Sequence, residues 1–398
     1  MQRKILVFGG GDNQILLIKA CRELSYYTIV TDPNPNAPGA ALADLFVPLP
    51  PKDLEAHRNL ILREQIEGIV TCQMENPLLL MASLAQEFNF RFPTPEVIKR
   101  SRNKYLMKKA FLQEQVPCAK GMLIENAEHF QSLNFAKWSF PLIIKPVDSF
   151  SSRGVFRLEN KSELLHYYNE SVKYASNGQV LIEEFLEGPE VSVESITFEG
   201  VTTVVQITDK VITAYPYTVE MAHYQPSILS KETQDCIKKI VTQAIDALGI
   251  DNTGSHAELK ITAEGPKMIE IGARLGGDYI SSYLTSLSTG VNMNRAIAQV
   301  AMGETPDLQA TTHYHSGIQY INWEPGKAVK EIMSLDSMIQ LDHVAHADIT
   351  YKPGDILPQV TDSAKRHAFV ISSGASRHEL LNNLEQLSHQ LSQLLITA

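Results

Sequence analysis

Two carboxylates on neighbouring short strands are the first residues of this chain that could do chemistry. Glu258 and Glu270 each lie in a run that alternates apolar and polar side chains, as strands do. The Glu264-Gly265-Pro266 sequence between the two runs favours a turn, and therefore an antiparallel hairpin. Adjacent carboxylates repel each other unless a cation binds between them, and Mg²⁺ is the usual cation beside substrate phosphates. An ordinary hairpin with two solvated glutamates explains this segment equally well.

An arginine and a glycine-rich turn follow the second glutamate. Arg274 comes four residues after Glu270, and Gly276-Gly277-Asp278 comes next. A guanidinium group presents a fork of donors that matches a phosphate or a carboxylate. We therefore expect an anion to bind beside the two glutamates.

Composition excludes several classes of protein. A chain of 398 residues is long enough for two or three domains. The net charge of −10 argues against non-specific binding to nucleic acid. The four cysteines are scattered without metal-ligand spacing, which favours reduced thiols in a cytoplasmic protein. We find no signal-peptide pattern and no apolar run long enough to cross a membrane. We expect neither nucleic acid nor membrane as a partner.

The first part of the chain alternates short apolar runs with helical patterns, which predicts a doubly wound parallel sheet over residues 1–96. The turn Gly9-Gly10-Gly11 and the later Asp32 are compatible with a dinucleotide site, but the spaced third glycine is missing. We favour a packing turn or one that lines a substrate pocket. Glu75 follows the fourth strand, where such sheets present ligands, although an acid that stabilises a helix start is an equal alternative.

The middle of the chain carries cationic residues at defined places. Lys104 stands at the head of a predicted helix, and Lys145 stands near the end of a buried strand, where it needs a partner. The small residues of the loop 148–154 allow its backbone to fold closely over an anion, although a plain hairpin tip is the alternative. Beyond residue 310 the chain is β-rich and ends in a helix whose leucine stripe we interpret as core packing.

In their order along the chain, these features resemble the ATP-grasp superfamily, and the resemblance covers nearly the whole sequence. The narrower similarity is to carboxylate–amine ligases of the L-amino-acid ligase type, and it is carried by the segments 32–39, 218–223, 256–258 and 270–278. The fold class implied is multidomain, α/β and α+β. It comprises an N-terminal α/β domain (1–96), an ATP-grasp region (97–310) with a small lid at about 120–190, and a C-terminal β-rich subdomain with a closing helix (311–398).

The resemblance also implies an ATP site. Two lysines hold the phosphates, and a mobile loop closes over them. The backbone of a hinge strand binds the adenine, and an acid accepts hydrogen bonds from the ribose hydroxyls. A further lysine is a weaker match. The residues at these positions are Lys104, Lys145, Ser149, Ser151, Ser152, Gly154, Glu183, Glu184, Phe185, Leu186, Glu190 and Lys210.

The metal and substrate positions follow from the same resemblance. Glu258 and Glu270 match ligands of Mg²⁺, with Mn²⁺ as an alternative, while Gly272 stands where asparagine is common and leaves the number of metal ions open. Arg274 and Lys145 match catalytic positions. The implied substrate residues, including an acid for an ammonium group and a histidine for a carboxylate or carbonyl, are Glu75, Glu220, His223, Arg274 and Gly277. A purely structural histidine is the alternative for His223.

The implied function is ATP-dependent joining of a carboxylate to an amine through an acyl phosphate, with release of ADP and phosphate. An amino acid is the leading substrate class, both substrates are small molecules, and a homodimer is compatible with the resemblance. One alternative is the glycinamide-ribonucleotide or carboxyphosphate-forming branch of the superfamily. Another is a nucleotide-sensing protein without catalysis. Only the first turn and Asp32 support an NAD oxidoreductase.

Overall fold

The computed structural model describes residues 2–135, 138–150, 152–214 and 217–397. Its N-terminal part is a four-stranded parallel sheet in the order β3-β2-β1-β4, as the alternating pattern predicted. The strands are β1 (Lys4–Phe8), β2 (Tyr27–Thr31), β3 (Leu45–Val47) and β4 (Gly68–Val70), and the helices between and after them are α1 (Ile15–Glu23), α2 (Leu54–Glu64) and α3 (Leu78–Phe88).

The strand order of this sheet reverses beside β1. The chain runs outward from β1 to β2 and β3, and then returns to place β4 on the other side of β1. Ligands of open parallel sheets bind at such a switch point, beyond the carboxyl ends of the strands. Residues 73–76 follow β4 at this edge. Asp32 instead accepts hydrogen bonds from the backbone amides of Gly10 and Asn34, which supports a packing turn.

Two short helices lead out of this sheet, and each begins at a capping side chain. Thr94 caps α4 (Pro95–Arg102), and Asn103 accepts hydrogen bonds from two amides at the start of α5 (Lys104–Gln113). Lys104 is therefore fixed at the first position of its helix. A longer helix, α8 (Lys231–Leu248), runs from its cap Ser230 to the left-handed Gly249. These three helices share an apolar core with the hairpin that carries the two glutamates.

A small antiparallel sheet follows α5. Its strand order is β5-β8-β6-β7, and α6 (Ala127–Ser132) and α7 (Leu164–Val172) share its core. The strands are β5 (Gly121–Ile124), β6 (Leu142–Pro146), β7 (Phe156–Leu158) and β8 (Val180–Glu184). We call this unit the lid sheet. The loop between β6 and β7 contains the small residues of 148–154.

The centre of the molecule is an eight-stranded sheet in which every neighbouring pair is antiparallel. Its order is β13-β12-β9-β10-β11-β14-β17-β16. The strands are β9 (Glu190–Phe198), β10 (Val201–Ile212), β11 (Glu220–Gln225), β12 (Thr253–Thr262), β13 (Gly265–Gly272), β14 (His315–Ile321), β16 (Val344–Ile349) and β17 (Ala368–Gly374). Strands from the middle and from the end of the chain therefore share one sheet.

The remaining elements cover this sheet and its ends. They are a π-helical turn at Ile280–Leu284, α9 (Thr285–Thr289), α10 (Met293–Ala301), α11 (Asp336–Ile339), α12 (Arg377–Leu394), and the paired strands β15 (Val329–Ile332) and β18 (Leu395–Thr397). In α12 the leucines at 380, 384, 387 and 391 are buried against the C-terminal core, which confirms the packing interpretation of the stripe. Among the described residues no helix is both long and apolar enough to cross a membrane.

Candidate functional site

Glu258 and Glu270 lie directly opposite each other in the β12–β13 pairing, so the predicted hairpin is confirmed. Each carboxylate also has a lysine from another element. Lys210 Nζ lies 2.7 Å from Glu258 Oε1, and Lys104 Nζ lies 3.1 Å from Glu270 Oε2. Burial alone would raise the pKa of Glu258, but Lys210 and His256 hold that pKa well below its ordinary value. Glu258 is therefore ionised at neutral pH.

Lys210 is the centre of a buried cluster of charges. Its side chain is only 2% exposed, and Nζ lies 2.6 Å from Glu190 Oε1 and 3.6 Å from Glu220 Oε1, in addition to Glu258. Burial would lower the pKa of Lys210, but the three carboxylates raise it well above the ordinary value. Lys210 is therefore a permanent cation that joins β9, β11 and β12.

The buried strand lysine has the partner that its position required. Lys145 Nζ lies 2.5 Å from Glu183 Oε2, and Lys108 Nζ lies 2.7 Å from Glu183 Oε1. Burial opposes the charge on Glu183, but the two lysines lower the pKa of its carboxyl group. Lys108 was not among the predicted residues. Its spacing of four from Lys104 on one helix face was the available signal.

The β6–β7 loop contacts the first lysine directly. Lys104 donates a hydrogen bond to the carbonyl of Ser149 at 2.7 Å, and its ammonium lies 5.6 Å from the Phe150 ring centroid. Ser152 and Gly154 both have positive φ, so the loop turns sharply here. A side chain at Gly154 would crowd Pro146 and Tyr174, each 2.9 Å from the added carbon. Ser151 lies outside the described residues.

The first cavity lies between the lid sheet and the central sheet, and it encloses about 930 Å³ of empty space. One part of its wall is apolar, with Ile143, Val155, Ile212 and Met268, and another part is charged. Of the described residues predicted to bind ATP, Gly154 and Lys210 do not line it. The others do: Lys104, Lys145, Ser149, Ser152, Glu183, Glu184, Phe185, Leu186 and Glu190.

The second cavity adjoins the first, and Glu258, Glu270 and Glu220 line both. It holds about 1220 Å³ of empty space and opens towards the switch point of the N-terminal sheet, where Gln73–Asn76 form part of its wall. All the residues predicted to contact substrate line it: Glu75, Glu220, His223, Arg274 and Gly277. The structure therefore brings the predicted substrate residues together beside the two glutamates.

Arg274 is held in this wall by Glu75. Its Nε donates to Glu75 Oε1 at 2.8 Å and its Nη1 donates to the carbonyl of Leu275 at 2.9 Å. Its Nη2 has no hydrogen-bond partner among the described residues. A Cβ at Gly272 would lie 3.4 Å from Glu75 Oε1, so a side chain there would contact the pair. Glu75 thus orients the arginine and leaves one of its donors available to a ligand.

His223 and Asp278 line the second cavity and form a network with Arg366, and the sequence analysis named His223 but not its link to Arg366. The Arg366 guanidinium donates to both oxygens of Asp278, at 2.9 and 2.6 Å, and His223 Nε2 lies 3.1 Å from Asp278 Oδ2. Burial would raise the pKa of Asp278, but Arg366 and His223 hold it well below its ordinary value. Arg366 comes 88 residues after Asp278, and no local motif signals the contact.

A fully buried carboxylate supports the loop that carries Arg274. Glu194 is 0% exposed, accepts a hydrogen bond from the amide of Gly276 at 3.0 Å and contacts His256 Nδ1. His256 therefore pairs with a neighbouring carboxylate. Burial disfavours the charged ring, but Glu194 and Glu258 raise the pKa of His256 to about 9. A side chain at Gly276 would overlap Glu194 and His256.

Comparison with known proteins agrees with this architecture. Residues 138–282 match the ATP-grasp domain, and residues 322–392 match the L-amino acid ligase C-terminal domain 2. Dapdiamide A synthase of Enterobacter agglomerans is 26% identical over 294 residues, which are 70% of this chain and 68% of that protein. Human carnosine synthase 1 is 23% identical over 345 residues, which cover 77% of this chain and 40% of that protein.

Solved structures share the fold. The L-amino acid ligase from Bacillus licheniformis has a TM-score of 0.83 at 22% identity, over 100% of this chain and 99% of that one. The biotin carboxylase domain of Hydrogenobacter thermophilus 2-oxoglutarate carboxylase, solved with MgADP, ADP and bicarbonate, has a TM-score of 0.77 at 18% identity, over 100% and 91%. The chain thus contains an ATP-grasp domain, followed by a domain that matches the L-amino acid ligase C-terminal domain 2, in agreement with the resemblance of its ordered motifs.

Proposed function

We propose that this protein joins a carboxylate to an amine at the expense of ATP, through an acyl phosphate, with an amino acid among its substrates. The observation that carries the proposal is the position of Glu258 and Glu270, whose side chains line both cavities. A metal-bound triphosphate at this pair would reach from the first cavity towards a carboxylate held in the second.

The first cavity has the walls that a nucleotide needs. Its apolar part suits the adenine ring, which the backbone of Glu184–Leu186 would read. Glu190 would accept the ribose hydroxyls, and Lys104 and Lys145 would hold the phosphates. Lys145 is fully buried and its pKa is raised by Glu183 despite burial, so it remains a cation for this purpose.

The donor set fits Mg²⁺, and Mn²⁺ as an alternative. Among the described residues no group of three or more His, Cys, Asp or Glu side chains could enclose a metal. Mg²⁺ does not need one, because it is commonly held by one or two carboxylates together with substrate phosphates and water. Two adjacent carboxylates whose charges are offset by lysines match that mode. Once bound there, the ion would neutralise phosphate charge.

The chain's own residues would bring two anions together. ATP carries about four negative charges, so a substrate carboxylate must be drawn towards its γ-phosphate against repulsion. Arg274 offers Nη2 in the second cavity, and Lys104 and Lys145 act from the first. The carboxylate oxygen then attacks the γ-phosphorus and ADP leaves, which gives the acyl phosphate. The amine attacks the acyl carbon, its proton is lost to a base or solvent, and phosphate leaves.

The β6–β7 loop is suited to protect that intermediate. Phe150 and Ser152 line both cavities, and Lys104 holds the loop through Ser149. A loop closed over the junction would exclude water from an acyl phosphate that hydrolyses readily. Catalysis here requires placement and shielding more than covalent participation by the protein.

The substrate class is supported by the second cavity and by the C-terminal domain. Glu220 would hold a substrate ammonium, and it already receives a hydrogen bond from Ser363 at 2.6 Å. His223 is 1% exposed and its Nδ1 has no hydrogen-bond partner among the described residues. A substrate contact by His223 and a structural role beside Asp278 are both compatible with this position.

The test is a phosphate-release assay over all pairs of amino acids, with mass detection of products. Pair-dependent release of ADP and phosphate with a condensed product supports the proposal and names the substrates. ADP formation that depends on bicarbonate, without condensation, would transfer the protein to the carboxyphosphate-forming branch. Nucleotide binding without turnover under any pairing would indicate a sensing protein.

A further inference from the structure

A short C-terminal segment reaches the second cavity from outside the ATP-grasp domain. It contains Ser363 and Arg366, just before β17. We propose that Arg366 is a positioning residue that shapes the second cavity and thereby sets the affinity for the non-nucleotide substrate. This inference rests on the proposed function, because it assigns that substrate to the second cavity.

The turn that Arg366 holds has an uncommon backbone. Asp278 and Tyr279 have φ of 51° and 60°, so two consecutive residues other than glycine adopt the left-handed conformation. Such residues are uncommon and persist where surrounding contacts enforce them. The bidentate bond from Arg366 to Asp278 supplies such a contact. It fixes the exit of the loop that begins at Arg274.

The same segment also holds the opposite wall. Arg366 Nη1 donates to the backbone carbonyl of Glu220 at 3.1 Å, and Ser363 donates to the Glu220 carboxylate. Glu220 and Asp278 both line the second cavity. Arg366 therefore links the start of β11 to the loop after β13, and each brings a carboxylate to this cavity.

Arg366 acts through these residues and not by contact with a ligand. It is 9% exposed, lies 3.6 Å from the Tyr320 ring centroid and does not line either cavity. Without it, the partly buried Asp278 carboxylate would keep His223 but lose its cation, and would repel a substrate carboxylate. Asp278 and Ser363 line the second cavity and not the first, and Arg366 contacts Glu220, which lines both, through its backbone carbonyl. Loss of Arg366 should therefore weaken the binding of the non-nucleotide substrate and leave the binding of ATP nearly unchanged.

The kinetic test compares Arg366→Met and Arg366→Lys with a matched arginine. Arg377 pairs with Asp209 at 3.1 Å and lies 4.4 Å from the Tyr224 ring centroid, yet it lines neither cavity. We expect Arg366→Met to raise KM for a non-nucleotide substrate roughly tenfold or more while KM for ATP changes by less than about twofold. Arg366→Lys should recover part of the loss, because it restores charge without the fork. Arg377→Met should change neither KM.

Equal rises in KM for ATP and for substrate, or the same effect from Arg377→Met, would overturn the inference. A second measurement keeps it testable without catalysis. Amide hydrogen exchange of residues 276–284 should accelerate in Arg366→Met and not in Arg377→Met, with thermal unfolding measured to confirm that both variants fold. Unchanged exchange rejects the positioning role. Absence of turnover in the wild-type protein rejects the ligase proposal instead, and the exchange result still decides the role of Arg366.

Discussion

The two cavities are built in different ways. The first takes most of its wall from a stretch of fewer than 90 residues, Lys104 to Glu190, completed by the β12–β13 hairpin and by residues from the end of β10 to the start of β11. The second is assembled from the switch point at 73–76, from β11, from the loop 274–280 and from Ser363. Consecutive elements thus form most of the first cavity, whereas the second depends on contacts between distant parts of the chain.

The charges differ in the same way. The lysines of the first cavity pair with carboxylates of that cavity, as Lys145 does with Glu183 and Lys104 with Glu270. In the second cavity Asp278 is paired with Arg366, which lines neither cavity. Substitutions in the two cavities should therefore have different effects. Some should change turnover, some the stability of the protein, and some the affinity for one substrate.

The largest effect should come from the shared wall. We expect Glu270→Gln to lower the rate of phosphate release about 10³-fold, because it removes one of the two proposed metal ligands. This loss corresponds to an activation barrier that is higher by several kcal/mol. Circular dichroism should show an intact fold. The control is Glu264→Gln at the exposed turn of the same hairpin, where the carboxylate pairs with Lys267. Wild-type turnover in Glu270→Gln would remove the metal assignment.

Next in size is the effect of replacing Lys210, the buried lysine of the second cavity. Lys210→Met should lower the free energy of unfolding by about 3 kcal/mol, because it leaves Glu190, Glu220 and Glu258 without their shared cation. Urea unfolding measures the change. Lys260→Met is the matched control, since Lys260 has one carboxylate partner among the described residues, Glu190 at 3.2 Å. Equal losses in the two variants would contradict a central role for Lys210.

Arg274→Ala should separate chemistry from nucleotide binding. We expect the turnover number to fall about 10²-fold, while the Kd for a non-hydrolysable ATP analogue, measured by calorimetry, stays within about twofold. The reason is that Arg274 lines the second cavity and not the first. Glu75→Gln, which removes the carboxylate that orients Arg274, should show a smaller loss of the same kind. A loss confined to nucleotide affinity would refute the catalytic assignment.

The smallest effect should be a pH-dependent loss of stability at Asp278. Its pKa is depressed in the folded state, so its contribution is present above the unfolded value near 3.9 and disappears as pH falls towards the folded value. Asp278→Asn should cost about 1–2 kcal/mol at pH 7, and the difference from wild type should shrink between about pH 4 and pH 2. Denaturant unfolding at several pH values measures it. A cost independent of pH would show that the ion pair contributes no net stability.

Local patterns in the sequence were sufficient for much of the fold and for the first cavity. The alternation around Glu258 and Glu270 predicted the hairpin, and the chain order of strands and helices predicted the parallel sheet. The need of Lys145 for a partner followed from burial alone, and Glu183 fills that need. These inferences succeed because each depends on residues that are close in sequence or on the cost of an unpaired charge.

Other features depend on contacts that no local pattern encodes. The pairing of Arg366 with Asp278, and of Ser363 with Glu220, needs the relative placement of β11, β17 and the loop after β13. No local motif signals that Glu194, a residue inside β9, lies fully buried between Gly276 and His256. The metal, ATP and substrate roles remain predictions that the variants above test. The domain boundaries proposed near residues 96 and 310 also remain predictions.

The pairing of β11 with β14 has a consequence for how the chain tolerates shortening. Residues Ala222–Gln225 bond to Ser316–Gln319, so the centre of the molecule passes without a break into its last hundred residues. A protein ended before β14 would display a bare hydrogen-bonding edge, a ready template for self-association. Gene fusions and deletions that spare both cavities but interrupt the pairing of β11 with β14 should therefore yield insoluble protein.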